Sequence, residues 1–356
     1  MDPRTAHALR HLPQPFTARE ATSADIPRST VKHASSVAFL VSPARGLYAV
    51  REPWDAASPW ERHRLMIDTA VRLFPDAIVS HTSQAVLLGL PHPSHPPDSV
   101  RMTVLDDVRT SRRSTWCRFH RGTTPPEHIE IRHGVPGFIA PRVVLDCCRE
   151  VHARDALAIA DGALRVGMTS LEQLFDMRRH QRRWPYVARS NDVLLLADGR
   201  RETWLESVSA WSMARWGLPT GIPQVNVFTP EGEFLGRPDA FWPDLGLVGE
   251  ADGSEKYLLE GTDEQSVLQA LERERLRQEP MAALGLRFVR WTPRDAIDGT
   301  AIHSRFQSLA RDVRHQNVAA LFRCSCCDSP LTECQVEAEL AVWRRKLAKE
   351  FERKVW

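Results

Sequence analysis

Asp239 and Glu250 flank a short Pro/Gly turn within GRPDAFWPDLGLVGEADGSEKY, the most chemically loaded stretch of the chain. The pattern predicts one strand carrying Asp239, a turn at PDLG, and a second strand ending near Glu250. Neighbouring antiparallel strands lie about 5 Å apart, so a suitable register brings the two carboxylates together. Like charges at that distance repel unless a cation sits between them. Mg²⁺ or Mn²⁺, which takes carboxylate oxygens together with water and phosphate oxygens, suits such a pair. Asp252 adds a third acid in the following glycine loop, and Lys256 can orient an attacking water or stabilise charge developing on a phosphorane-like transition state. Glu206, in the preceding helix, can complete the metal shell. The candidate catalytic set is therefore Asp239, Glu250, Asp252, Lys256 and Glu206, with the metal on Asp239, Glu250 and Glu206. The plainer alternative is a set of surface turn acids, since PDLG and ADGS are ordinary turn sequences. An aspartate inside a strand is disfavoured, which sets Asp239 apart from Asp244 and Asp252.

A second group of residues points to nucleic acid. Thr17-Ala-Arg-Glu20 is a capping box that opens a helix, and Phe16 and Ala21 are spaced for a weak hydrophobic staple. Another short helix is expected from near Pro27, where the missing N–H costs nothing. VAFLVSPARGLYAV then reads as a hairpin around Ser42-Pro-Ala-Arg-Gly46. Helix, turn, helix, hairpin is the order of a winged helix-turn-helix. A recognition helix reads DNA from its N-terminal residues, so Arg28, Ser29, Thr30 and Lys32 are the expected base or phosphate contacts, with Arg45 at the hairpin tip reaching the backbone. A winged helix used only for protein contact is the alternative.

Cys324-Ser-Cys326-Cys327 and Cys334 offer four thiols in a short span. Cys324-x-x-Cys327 has half the spacing of a zinc knuckle, but no second CxxC or HxxxH completes it. Plain thiols are expected there, with Zn²⁺ as the alternative. Asp146 and Asp161 are read as helix caps or salt-bridge partners. No HExxH, GxSxG, P-loop or GxGxxG occurs, so serine-hydrolase and nucleotide-dependent chemistries have no support.

The elements that must position these residues follow from hydrophobic periodicity. Helices are expected over residues 60–74, 81–88 and 155–164, from PRVVLDCC, and after a second capping box at Thr169-Ser-Leu-Glu172. Strands are expected at VRMTVLDD, STWCRFHRG and HIEIRHG, with a linker around residues 180–200. An amphipathic helix carrying Trp204, Leu205, Val208 and Trp211 then leads to strands QVNVF, LGRPDAFW and LVGEADG, a charged helix over 263–284, and a last strand, LRFVRW. From Gln335 a terminal amphipathic helix suits either the protein's own core or a homodimer contact.

The 356 residues suggest two or three domains. A net charge of +2 argues against a surface that is basic throughout, though not against one basic patch. Five lysines stand against 42 arginines, and Lys256 is the only lysine between residues 33 and 345. No apolar run spans a membrane and no secretory signal is evident. Seven cysteines do not make a disulfide framework, so a cytoplasmic setting is expected.

SVSAWSMARWGLP-x-x-IPQ, GRPDAFWPDLGLVGEADG-x-x-KY and ERERLRQEPMAALGLRFVRW, in that order over residues 201–295, resemble the blocks of very-short-patch-repair-like endonuclease domains, a branch of the PD-(D/E)XK superfamily. The resemblance implies a central mixed sheet flanked by helices, with Glu206, Asp239 and Glu250 in the acidic cluster and Arg277 on the long helix near DNA. The chain departs from the superfamily in one respect: a lysine is expected two positions after the second acid, where Asp252 stands, and Lys256 is the candidate replacement. FTAREATSADIPRSTVKH, RGLYAV, SHTSQAVLLGL, APRVVLDCC and ALAIADGALRVGMTSLEQL, over residues 8–178, resemble AbiEi-type antitoxins of type IV toxin–antitoxin systems. That resemblance implies operator binding by the head and a cognate toxin as partner.

The expected fold class is multidomain α/β. A winged helix-turn-helix spans 1–52, a mixed α/β middle domain with linker 53–200, a nuclease-like domain 201–315, and a cysteine segment with terminal helix 316–356. The expected function is a DNA-binding, Mg²⁺-dependent endodeoxyribonuclease in toxin–antitoxin control or phage defence. The alternatives are a non-enzymatic AbiEi-like repressor with a silent nuclease fold and a pure protein-binding antitoxin.

Overall fold

The computed structural model describes residues 1–91, 95–105, 114–132, 134–251, 275, 278–312 and 318–352. The chain is mixed α/β and divides into two compact units, Met1–Glu150 and Val151–Trp356. Among the described residues, no helix is long and apolar enough to cross a membrane.

The first unit begins with α1 (Pro3–His11), β1 (Phe16–Thr17), α2 (Ala18–Ser23) and α3 (Arg28–Ser36). The Thr17–Glu20 capping box forms as expected, and Glu20 also receives Arg72 at 2.5 Å. Pro27 is the N-cap of α3. Strands β2 (Leu40–Val41) and β3 (Leu47–Val50) form the expected hairpin, and β1 pairs on the other side of β3. Leu9, Phe16, Ala21, Ile26, Val31, Ala34, Leu40 and Val50 make the core between these helices and this small sheet.

The rest of the first unit runs α4 (Arg51–Ala56), α5 (Pro59–Leu73), β4 (Ala77–Val79), α6 (His81–Leu87), β5 (Val100–Val104), β6 (Cys117–His120), β7 (Ile129–Arg132), β8 (Val135–Phe138) and α7 (Ala140–Glu150). The five strands order as β6-β5-β4-β8-β7 in a sheet of mixed direction. The expected strands are β5, β6 and β7. Two more carry no strand signal: β4 has only three residues, and β8 contains Pro136 and Gly137, which are disfavoured in strands.

The second unit opens with α8 (Ala153–Arg165), α9 (Leu171–His180), α10 (Ser190–Leu196) and α11 (Trp204–Arg215). Three sequence expectations need correction here. The capping box of α9 is Ser170 with Gln173, one residue beyond Thr169–Glu172. Residues 180–200 are not a bare linker: α10 buries Val193 and Leu194. Helix α11 is not amphipathic, because Ser207, Val208, Ser209, Ala210, Ser212 and Met213 are all buried around its circumference. Its small side chains let it lie between α8 and the sheet. Ser207 Oγ donates to Asp161 at 2.8 Å on one side, and Trp291 Nε1 donates to Ser209 Oγ at 2.6 Å on the other.

That sheet orders as β14-β13-β12-β9, with β9 (Ile222–Pro223), β12 (Ala240–Trp242), β13 (Leu247–Ala251) and β14 (Arg287–Trp291). Strands β12 and β13 are antiparallel, whereas β13 and β14 are parallel. A second sheet, β11-β10-β15, combines β10 (Val225–Phe228), β11 (Phe234–Gly236) and β15 (Leu321–Cys324). The single strand expected at LGRPDAFW is thus two strands in different sheets, separated by Arg237-Pro238-Asp239. Gly236 at φ +154° and Pro238, which has no N–H to donate, let the chain leave one ladder and enter the other.

Each face of the four-stranded sheet has its own core. Val208, Met213, Trp242, Leu247, Val289 and Trp291 pack with α12 (Pro293–Asp298) and α13 (Thr300–Asp312) on one face. Phe241, Val248, Met281 and Leu286 pack with Val225 and Val227 on the other. Gly249 is dictated by close approach, since a Cβ there would lie 2.5 Å from Trp291 and 2.9 Å from Trp242. The charged helix expected over 263–284 is described only in its final residues, where 278–283 are helical. Finally α14 (Gln335–Glu352) buries Leu340 and Leu347, and its Trp343 meets Phe175 of α9 edge-on. The helix is packed on its own unit at these positions.

Candidate active site

Asp239 does not lie inside a strand, as the sequence pattern suggests, but immediately before β12. Its side chain accepts the backbone N–H of Ala251 at 2.7 Å, which ties the entry of β12 to the exit of β13. The ladder begins with Ala240 paired to Gly249, followed by Phe241 with Val248, so Asp239 stands just before its first pair. Glu250 is buried, with 9% of its surface exposed. In the parallel ladder it is in register with Arg290 of β14, a basic neighbour that sequence reasoning misses because nothing local connects the two.

Glu206 lies at the third position of α11. Its Oε1 accepts from the Thr203 backbone N–H (3.1 Å) and hydroxyl (2.8 Å), and its Oε2 accepts from the Glu202 N–H (3.1 Å). A fourth donor, Gln224 Nε2, reaches Oε2 at 2.8 Å. Gln224 is buried and holds a left-handed φ of +56°, between β9 and β10. It is the last residue of the IPQ motif, so a sequence signal exists for it, though not one that reveals its role. Glu206 and Asp239 line one small cleft with Arg201, Ser209, Gly221, Pro223 and Trp291. The cleft brings Glu206 and Asp239 together, whereas Glu250 is not among its lining residues, and among the described residues the three carboxylates do not converge within 4.8 Å of one another. Asp252, Lys256 and Arg277 lie outside the described residues.

Two carboxylates, Asp239 and Glu206, line the cleft with neither thiol nor imidazole beside them, the donor type that a hard divalent ion takes.

On α3, Val31 and Ala34 face the core, which leaves Arg28, Ser29, Lys32 and His33 exposed on the opposite side. Thr30, grouped with the readers from sequence, is half-buried at the edge of that face. Arg45 is exposed in the hairpin turn beside Gly46, whose φ is +83°.

No family profile matches the chain. Two uncharacterized proteins of Mycobacterium tuberculosis, MT2308 of strain CDC 1551 / Oshkosh and Rv2248 of strain H37Rv, are each 30% identical to it over 111 residues. The match covers 31% of this chain and 41% of each relative, so the chain spans about two fifths of their length. The crystal structure of the RV2827C protein of M. tuberculosis superposes with a TM-score of 0.37 at 17% identity, covering 54% of this chain and 74% of that one.

The acids read as structural behave so. Asp146 receives Arg142 at 2.7 Å and Arg149 at 3.0 Å, and Asp161 receives Arg201 at 2.8 Å. A second polar cluster, in the first unit, has no counterpart among the sequence expectations. His81 stacks on His120 with ring centroids 3.8 Å apart, and Glu150 beside them is engaged by Arg101 at 2.7 Å. Arg118 also approaches Glu150, at 3.5 Å. His81, His120 and Glu150 bring ligand atoms within 4.8 Å of one another, while both arginines approach the same oxygen of Glu150.

Burial holds three histidines of this unit, His63, His81 and His120, below their ordinary range. Burial, helped by Arg101, brings His63 down to about 4, and burial with the neighbouring His120 takes His81 well below its ordinary range. The unfolded chain therefore binds more protons than the folded one between about pH 6.5 and pH 4. Stability should fall as the pH drops through that window. For His63 alone the expected loss is about 3 kcal/mol at the acid end. Urea denaturation at pH 7 and pH 4.5 measures it, and His63→Gln should flatten the dependence.

Proposed function

We propose that the protein is a DNA-binding, Mg²⁺-dependent endodeoxyribonuclease of the bacterial cytoplasm, acting in toxin–antitoxin control or phage defence. The first 52 residues act as a winged helix-turn-helix, and the acids of the second unit form a PD-(D/E)XK-like centre. The observation that supports this reading is the cleft that Asp239 shares with Glu206, with the Asp239 carboxylate tied to the end of β13 through the Ala251 N–H.

Asp239 and Glu250 would hold Mg²⁺ or Mn²⁺ across the two strands. The ion when bound supplies charge stabilisation at the scissile phosphate and lowers the pKa of a bound water. Ala251 fixes the Asp239 carboxylate through its N–H, so one oxygen is oriented before any ligand arrives. Gln224 does the same for Glu206, whose carboxylate it holds at the edge of the cleft. Arg290, in register with Glu250, offsets the charge of an incoming phosphate.

Incubation of supercoiled plasmid and labelled duplexes with the purified protein tests the reading. Nicking that requires Mg²⁺ or Mn²⁺ and stops with EDTA is expected; no cleavage of any substrate with either metal would refute it. One observation favours a second reading, a regulator with a silent nuclease fold: Glu206 already has four hydrogen-bond donors, as a purely structural capping glutamate would. Under that reading DNA binding persists and no cleavage is seen.

For the head, Arg28→Ala/Lys32→Ala should weaken binding to DNA from the protein's own upstream region. It should also lower the salt dependence by about one unit of slope for each phosphate that is no longer neutralised. A salt-titrated gel shift measures both, and unchanged binding would remove α3 as the reading helix. A cognate toxin and a second copy of the chain remain the proposed protein partners.

A further inference from the structure

We propose that Cys324, Cys326, Cys327 and Cys334 form a tetrathiolate site for one structural Zn²⁺ that clamps the start of the C-terminal helix to β15, the strand paired with β10. Sequence spacing alone favours plain thiols, because only half of a knuckle pair is visible. The folded chain supplies the other half from an unexpected place.

Strand β15 ends at Cys324, and the chain then doubles back. The Cys324 N–H donates to Ser329 O at 2.9 Å, the Asp328 N–H donates to Cys324 O at 2.9 Å, and Arg323 bridges to Pro330. Asp328 makes the reversal with a left-handed φ of +52°. This tight loop carries Cys326 and Cys327 at its tip, and a single 3-10 turn, Leu331–Glu333, then brings Cys334 back to the start of α14. All four sulfurs fall within 4.8 Å of one another.

The arrangement has the features of a metal clasp. Zn–S bonds of about 2.3 Å in a tetrahedron place sulfurs about 3.8 Å apart, and Cys327 and Cys334 are separated by 3.8 Å. Cys324 and Cys326 stand at 2.7 Å, longer than the roughly 2.05 Å of a disulfide, and need open by only about 1 Å to reach the tetrahedral edge. Four soft sulfur donors in tetrahedral reach select zinc over the hard ions expected at the carboxylates. Each coordinated thiol gives its proton to solvent as the Zn–S bond forms.

The site also has a mechanical connection to the carboxylates. Cys324 pairs directly with Val225 in the β10–β15 ladder, and Val225 follows Gln224, the residue that holds Glu206. On the other side, α14 is tied inward by Glu337 to Arg200 at 2.7 Å. A metal at the cysteines would therefore fix the strand that positions Gln224.

The test is elemental analysis of the full-length protein after dialysis into metal-free buffer. One zinc per chain is expected, falling below about a tenth of that in Cys327→Ser and in Cys334→Ser. Should either variant fail to fold, wild-type protein stripped with a chelator and refilled with Co²⁺ provides the second measurement. The intense visible bands of tetrahedral cobalt–thiolate should then appear at one equivalent. Chelation should also expose these four thiols to iodoacetamide while buried Cys147 and Cys148 stay protected. Absence of zinc, iron in its place, a disulfide among the four, or zinc unchanged in both variants would overturn the proposal.

Discussion

Replacing Asp239 by asparagine should reduce Mg²⁺-dependent DNA cleavage by two to three orders of magnitude while leaving the fold intact. Asparagine keeps an oxygen that can accept the Ala251 N–H, so the link between β12 and β13 survives. What disappears is the negative charge, and with it half of the carboxylate pair that would hold the cation. Removing one preorganised electrostatic interaction from a reacting centre costs about 3–4 kcal/mol in transition-state stabilisation, which gives the stated range. Glu250→Gln should behave alike. Glu206→Gln is preferable to Glu206→Ala, because loss of the capping interactions at Thr203 would cost about 1 kcal/mol of helix stability and blur the result. Single-turnover cleavage rates measure the loss, and circular dichroism checks the fold. Equal rates for wild type and Asp239→Asn would remove the residue from the chemistry.

The second large effect is on stability. Asp161 is fully buried, and it accepts from Arg201, from the Asp198 N–H and from Ser207 Oγ, each at 2.8 Å. Burial raises its pKa to about 6, against the pull of Arg201, so the group is still ionised at pH 7. The network continues from Asp198 to Arg200 at 2.6 Å and from Arg200 to Glu337 of α14. Asp161→Ala would leave the Arg201 guanidinium buried without its main counter-charge, and breaking such a pair costs about 3–5 kcal/mol. Because Ser207 adjoins Glu206, cleavage should fall along with stability. A urea midpoint within about 0.5 kcal/mol of wild type, the range of a neutral surface substitution, would show that the network matters less than its burial implies. Asp161→Ala/Arg201→Met, which removes both charges, should recover part of the loss.

Much of this architecture is legible in local sequence. The capping box at Thr17, the punctuation of α6 by Gly89, and the apolar runs of β5 and β13 are short-range signals that tertiary packing has no reason to override. The failures are of two physical kinds. Where the chain changes sheets at Gly236–Asp239, apolar residues on both sides of the break read as one strand, although Gly and Pro mark it. Helix α11 carries an apolar pattern that suggests one buried face, yet α8 and the sheet bury both sides, and only the three-dimensional arrangement says so.

The candidate site divides in the same way. The identities of Glu206, Asp239 and Glu250 can be read from residue type and motif order. The contributions of Gln224 and Arg290 cannot, because they depend on a side chain crossing from one strand end to a helix cap and on a parallel register. The cysteines are visible, but their convergence depends on a reversal at Asp328 and on the start of α14.

The most direct test of the central claim is anomalous diffraction from crystals of the wild-type protein soaked in Mn²⁺. The account predicts one strong peak within about 2.0–2.5 Å of carboxylate oxygens of both Asp239 and Glu250, absent in Asp239→Asn. No peak at these residues, in crystals where the site is open to solvent, would contradict it.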